Sequence, residues 1–117
     1  MTKIAGLVLR AERKETTARF YSELGLETEK HSHGGPKHYE VTPISETFAL
    51  EIYARFKQLR KLSDDALILE VDSIDDALVI VNGFRCKIEG ERFQLNELTF
   101  LYVTDPDDRL VLLMEKS

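Results

Sequence analysis

ALILEVDSIDDALVIVNG, residues 66–83, decides how the rest of the chain is read. Its first seven residues are rich in Leu, Ile and Val and predict a strand. Ser73 and Asp76 then form an S-x-x-D pattern, in which a hydroxyl accepts from a backbone N–H in the first turn of a helix. Ile74, Ala77, Leu78 and Val81 follow at the spacing of a half-buried helix, and Gly83 is expected to end it.

The same order occurs earlier in the chain. KIAGLVLR (3–10) predicts a strand. RKETTARFYSEL (13–24) places Thr17, Phe20, Tyr21 and Leu24 at helical spacing, and Gly25 stands where a C-cap needs positive φ. LETEKHSH (26–33) and KHYEVTP (37–43) flank a Gly-Gly-Pro corner, and TFALEIYA (47–54) closes the half as a strand. After Gly83, FRCKIEG (84–90), QLNELTFLYVT (94–104) and RLVLLMEK (109–116) supply three more strands. Gly25 and Gly83 are 58 residues apart, and Val41-Thr42 recurs 62 residues on as Val103-Thr104. A near-constant offset with one element order predicts a duplicated βαβββ unit: module 1 at about 1–54, a linker at about 55–63, and module 2 at about 64–117. Two copies are too few for a solenoid.

The 117 residues suffice for one domain with its own core. At 43% hydrophobic and 32% charged the composition is that of a globular protein. No apolar run reaches the roughly 20 residues of a membrane span. The start, MTKIAGLVLRAER, lacks a signal-peptide layout, and the single Cys86 makes no internal disulfide, so a cytoplasmic location is expected. A net charge of −5 offers nucleic acid no general attraction. The basic run RFKQLRK (55–61) is read as a solvated connector rather than an anion contact.

Strand alternation sorts the faces. Ala5, Leu7, Leu9, Phe48, Leu50, Ile52, Leu67, Leu69, Val71, Val111 and Leu113 form one parity set, all apolar, expected beneath the helices. The other set carries Ile4, Gly6, Val8, Arg10, Ala49, Glu51, Tyr53, Ala66, Ile68, Glu70, Leu110, Leu112 and Met114. It is largely apolar too, so a sheet of this kind must curl around a cavity or meet a partner.

ARFYSELGLE, FALEIYA, LILEVDSIDDAL and VTDPDDRLVLL together resemble the vicinal oxygen chelate superfamily of glyoxalases, bleomycin-resistance proteins and extradiol dioxygenases. The resemblance spans nearly the whole chain. It implies an α+β fold in which two βαβββ modules form a curled, cup-shaped mixed sheet with helices on the convex face. It also implies homodimers, with sites in the cup or across the dimer contact. Metal-dependent members place one ligand on the first and fourth strand of each module. Those positions fall at Gly6, Glu51, Ala66 and Leu112, and only Glu51 carries a donor. A lone carboxylate does not hold a divalent cation firmly, so no metal and no cofactor is expected. Asp108 stands where the family's turn usually has Gly, and Arg13 where a capping Asp is common.

His31, His33 and His38 are the chain's three histidines, all within HSHGGPKH (31–38). With Gly34-Gly35 as a two-residue loop, His31 faces His38 and His33 faces Pro36. A cross-strand pair of histidines binds zinc, nickel or copper weakly at best, and needs Glu29 or Glu40 from adjacent rungs to add to it. The expectation is an exposed polar hairpin tip without metal, with contact of His38 to a ligand as the alternative.

The expected ligand-binding residues are Glu51, Tyr53, Arg10, His38, Leu112 and Met114. Glu51 anchors a cationic or hydroxyl-bearing ligand, acts as a base, or pairs with Arg10. Tyr53 offers a ring and a hydroxyl, and Leu112 and Met114 an adaptable apolar wall. Tyr39 and Tyr102 lie on comparable strands with their faces open. Cys86, expected on the sixth strand, is not expected to be activated. The leading reading is metal-independent binding of a small molecule, as in sequestration or resistance. The alternatives are a lyase, isomerase or dioxygenase-type enzyme using Glu51, and a dimerising or regulatory module without ligand.

Overall fold

The computed structural model describes residues 6–32, 37–42, 49–54 and 65–116. The described residues belong to two units, Met1–Arg60 and Lys61–Ser117. The first runs β1 (Gly6–Ala11), α1 (Lys14–Glu23), β2 (Glu27–His31), β3 (His38–Thr42) and β4 (Ala49–Ala54). The second runs β5 (Ala66–Glu70), α2 (Ile74–Gly83), β6 (Ile88–Leu95), β7 (Leu98–Thr104) and β8 (Leu110–Lys116). Sheet 1 has the order β1-β4-β3-β2 and sheet 2 the order β5-β8-β7-β6. In each, the first and fourth strands of the βαβββ unit pair in parallel and the others antiparallel. No helix among the described residues is long and apolar enough to cross a membrane.

Each helix covers one sheet face. In unit 1, Phe20 and Tyr21 of α1 are buried together with Leu9, Val41, Leu50 and Ile52. Their rings meet edge-on at 5.2 Å. In unit 2, Ile74, Ala77 and Val81 of α2 are buried with Leu101, Val103, Val111 and Leu113. These are the expected core parities, with two qualifications. Leu7 is 41% exposed, and Leu67, Leu69 and Val71 are only partly covered. Ala5 and Phe48 lie outside the described residues. Burying side chains of this size contributes roughly 1.5–3 kcal/mol each relative to leaving them exposed.

The helix starts differ as the sequence suggests. Ser73 Oγ accepts from Asp76 N at 3.1 Å, and Glu115 Oε1 accepts from Ile74 N at 2.6 Å, which ties α2 to β8. Arg13 caps α1 with no side-chain hydrogen bond. The ends are alike in geometry but not in residue. After α1, Gly25 takes φ 114, and Leu26 N donates to Tyr21 O. After α2, Gly83 is not the cap: it is the last helical residue, and Arg85 takes φ 59 while Cys86 N donates to Val81 O. The true counterpart of Gly25 is therefore Arg85, 60 residues on, the spacing that also separates Gly6 from Ala66. The intact βαβ geometry holds a non-glycine residue in the left-handed region there, at a cost.

Two further sequence expectations change. β6 starts at Ile88, so Cys86 lies in the connection before the strand. Asn96 and Glu97, with φ 51 and 66, form a two-residue turn closed by the pairing of Leu95 with Leu98. Both central residues having positive φ marks the I′ hairpin turn. The expected pairs of His33 with Pro36, the Gly34-Gly35 loop, and the 55–61 basic run lie outside the described residues.

Candidate functional site

The face of sheet 1 turned away from α1 gathers four of the expected residues. Register puts Arg10 of β1 opposite Tyr53 of β4, and Glu51 of β4 opposite Glu40 of β3. His31 pairs with His38, as expected. The guanidinium carbon of Arg10 lies 5.0 Å from the Tyr53 ring centroid, within cation–π range. On its other side Tyr53 stacks on His38, with centroids 4.3 Å apart and planes 15° off parallel. His38 Nε2 lies 2.7 Å from Glu51 Oε2, a charge contact without hydrogen-bond alignment. It becomes an ion pair when the imidazole is protonated.

This overturns two expectations. His38 is 1% exposed, so it is not part of an exposed tip. Stacking against Tyr53 and contact with Glu51 draw it onto the sheet. Glu51 meets His38 rather than Arg10, because Arg10 is held over Tyr53 and its Nη1 donates to Ala54 O at 3.2 Å.

A row of acids crosses the same face. Glu29 pairs with Glu40, and Glu40 with Glu51, on three adjacent strands. Like charges directly opposite are destabilising unless a cation answers them. In the sequence Glu51 stands out by its apolar surroundings, whereas Glu29 and Glu40 appear only as donors on rungs adjacent to the histidine pair. The signal was present, since pairing His31 with His38 sets Glu29 opposite Glu40.

Sheet 2 carries the apolar candidates. Leu112 pairs with Ile68 and Tyr102, and Met114 with Glu70 and Phe100. All six share the face turned away from α2, which places Tyr102 there. Tyr39 instead pairs with Ile52 and belongs to the helix side of sheet 1. Leu112 and Met114 thus share a sheet with each other, and Glu51, Tyr53, Arg10 and His38 share another.

The four expected metal-ligand positions fall at matching register places in the two modules. Gly6 pairs with Ala49, one rung from Glu51, and Ala66 pairs with Leu110, one rung from Leu112. The donor set does not fit a divalent cation: three of the four positions offer no oxygen, nitrogen or sulfur, and Glu51 is engaged by His38. Among the described residues no group of three or more His, Cys, Asp or Glu side chains has metal-binding geometry.

Outside this face, Asp105 is buried in the β7–β8 turn. Its Oδ1 accepts from the backbone N of Asp107 and of Arg109, both at 2.9 Å, and its Oδ2 from Arg109 Nη1 at 2.7 Å. Asp108 takes φ 62, the conformation that favours glycine. Burial, aided by the charge of Asp105, pushes the Cys86 thiol up to about 11, despite a lowering hydrogen bond with Thr104. That thiol is not an activated nucleophile.

No family model matches the sequence, and no curated protein does. Solved structures match over essentially the whole chain. An antibiotic-binding protein, TnmS3, from Streptomyces sp. CB03234 matches with a TM-score of 0.71 and 16% identity, covering 100% of this chain and 98% of its own. A glyoxalase/bleomycin resistance protein/dioxygenase family enzyme from Burkholderia phytofirmans PsJN matches with a TM-score of 0.75 and 10% identity, covering 99% and 100%. A glyoxalase/bleomycin resistance protein from Albidiferax ferrireducens T118 gives 0.73 and 14%, covering 99% and 100%. At these identities the likeness is one of fold. The chain has the α+β fold of the glyoxalase/bleomycin-resistance proteins.

Proposed function

We propose that this chain, with the fold of the glyoxalase/bleomycin-resistance proteins, binds a small molecule through the strand faces turned away from its helices, without a metal ion. The observation that supports it is the convergence of Arg10, Tyr53, His38 and Glu51 on one face. The Glu51 side chain keeps 24% of its surface exposed while its partner His38 is buried. A ligand therefore meets a positioned carboxylate beside an aromatic ring, with the Glu29–Glu40–Glu51 row favouring an amine- or hydroxyl-bearing group. On the sheet of the other unit, Leu112 and Met114 offer a separate apolar surface to such a molecule. The fold's occurrence in an antibiotic-binding protein is consistent with sequestration as the purpose. A homodimer belongs to the same proposal, since the apolar strand face of sheet 2 needs cover. So does a reducing, cytoplasmic setting, which suits the lone cysteine.

The test is calorimetric titration with a panel of amine- and hydroxyl-bearing antibiotics, repeated on Glu51→Gln and Tyr53→Ala. Hits should weaken at least several-fold in both variants. Hits that bind both variants as tightly as the parent would remove the proposal.

A second reading is supported by the 2.7 Å contact of His38 with Glu51. A carboxylate backed by an imidazole is suited to taking a proton, as a lyase or isomerase requires. Under that reading Glu51→Gln abolishes turnover while the ligand still binds.

A further inference from the structure

The face of sheet 1 turned away from α1 keeps two opposite charges apart. Arg10 of β1 and Glu51 of β4 are diagonal neighbours, because Arg10 pairs with Tyr53 and Glu51 with Val8. Strand rise and strand spacing put their Cα atoms about 8 Å from each other, within reach of two long side chains. Each is nevertheless held by another partner. Arg10 lies over the Tyr53 ring, 5.0 Å from its centroid, and its Nη1 donates to Ala54 O at 3.2 Å. Glu51 leans towards β3, where it meets His38 at 2.7 Å. Opposite charges in this relation gain by pairing, so fixing them on separate partners leaves the face with a built-in dipole.

Val8 fills the corner between the two charges. It precedes Arg10 on the same side of β1, stands opposite Glu51, and is 46% exposed. An apolar side chain at that place offers contact to a hydrocarbon spacer. The Tyr53 ring presents its edge rather than a face, since Arg10 covers one side and His38 stacks on the other at 4.3 Å. A flat ligand therefore finds no ring face here. Glu40, opposite Glu51 on β3, adds a second carboxylate to the acidic end. A simple amine drawn to Glu51 stands within a Debye length of the Arg10 guanidinium, and a simple carboxylate drawn to Arg10 stands within a Debye length of both acids. Each meets repulsion as well as attraction. A molecule carrying both charges at a matching separation is attracted at both ends.

We propose that this face binds dipolar chain molecules, in which a carboxylate and an ammonium are separated by an apolar spacer of about five carbons. The carboxylate meets Arg10, the spacer lies along Val8, and the ammonium meets Glu51. The planar fork of a guanidinium has donors for both the Ala54 carbonyl and a ligand carboxylate. This rests on the small-molecule reading of the same face and deepens it. It names the ligand class, gives Arg10 and Glu51 opposite ends of the ligand, and adds Val8 to the site.

The experiment titrates the intact, nitrogen-15-labelled chain with 6-aminohexanoate, hexylamine, hexanoate and glycine, and follows the amide resonances of β1 and β4. 6-Aminohexanoate should give saturable shifts and bind about fivefold or more tighter than hexylamine or hexanoate, each of which lacks one charge. Glycine, whose charges lie too close together, should bind no better than hexylamine. Arg10→Gln should remove the advantage over hexylamine, Glu51→Gln the advantage over hexanoate, and Arg10→Lys should keep most of it, which separates charge from packing. The amide spectrum of each variant reports its folding; if Arg10→Gln does not fold, the comparison of 6-aminohexanoate with hexylamine on the parent chain decides. No saturable shift with 6-aminohexanoate, equal affinity for hexylamine or glycine, or an advantage that persists in Arg10→Gln overturns the inference. If hexylamine binds as tightly as 6-aminohexanoate and Glu51→Gln weakens both, the dipolar class falls while the small-molecule reading stands. That reading falls only with the antibiotic panel, so the two proposals fail separately.

Discussion

His38 Nε2 sits 2.7 Å from Glu51 Oε2, and the imidazole making that contact is 1% exposed. The contact joins β3 to β4 on the face where neither strand meets a helix. It also places the histidine between the ring of Tyr53 and a carboxylate, so two unlike interactions hold one side chain.

That arrangement predicts unequal costs. His38→Ala removes the ring stack and a buried volume and should destabilise the protein by about 2–3 kcal/mol. Glu51→Gln keeps the shape and should cost about 1 kcal/mol or less, since Glu51 is partly in water. Urea unfolding of the two variants and of the double variant checks this. A coupling energy indistinguishable from zero would mean that the contact contributes nothing.

The Asp105 turn should be the costliest polar site to disturb. Asp105→Ala orphans two backbone donors and leaves the largely buried Arg109 guanidinium without its main partner. A loss of about 3–5 kcal/mol is expected, read as a large drop in thermal midpoint. Asp105→Asn should lose less, because one carbonyl oxygen still accepts from the backbone.

Besides Asn96, three non-glycine residues among those described occupy the left-handed region at turns: Arg85, Glu97 and Asp108. Replacing each with Gly should stabilise by about 0.5–1 kcal/mol, with Asp108→Gly giving the least, because Asp tolerates this region better than Arg or Glu. Denaturant midpoints of the three variants test the ranking. Glu97→Gly also creates the Asn-Gly pair that the I′ turn prefers.

Cys86 should be slow to react. Its thiol is raised from 9.0 to about 11, so the native protein holds a proton there that the unfolded chain releases. Stability is therefore unaffected by this group below pH 9 and falls as pH rises from 9 towards 11. Alkylation by iodoacetamide at pH 8 should be much slower in native than in urea-unfolded protein. Equal rates would contradict a protonated, shielded thiol.

Much of the fold is legible in the chain itself. Period-2 and period-3.6 patterns, Ser73 as a cap and Gly25 as a C-cap follow from short-range geometry, which a local stretch of sequence encodes. So do the duplication and the pairing of His31 with His38, because alternation and hairpin closure fix which residues face each other. The family positions at Gly6, Glu51, Ala66 and Leu112 show the same one-rung offset in both modules for the same reason.

Tertiary structure decided what several neighbours compete for. Glu51 had Arg10 and His38 within reach of its strand, and the outcome depended on Arg10 being held by Tyr53 and the Ala54 carbonyl. The end of α2 passed over Gly83 to Arg85, because the cap forms where the path into β6 requires it, whichever residue stands there. Phe93 met Phe100 only through a bulge that shifts register by a count no local pattern announces. Alternation and propensity are properties of a segment; partner choice is a difference between contacts made by distant segments, and it exists only once the chain has folded.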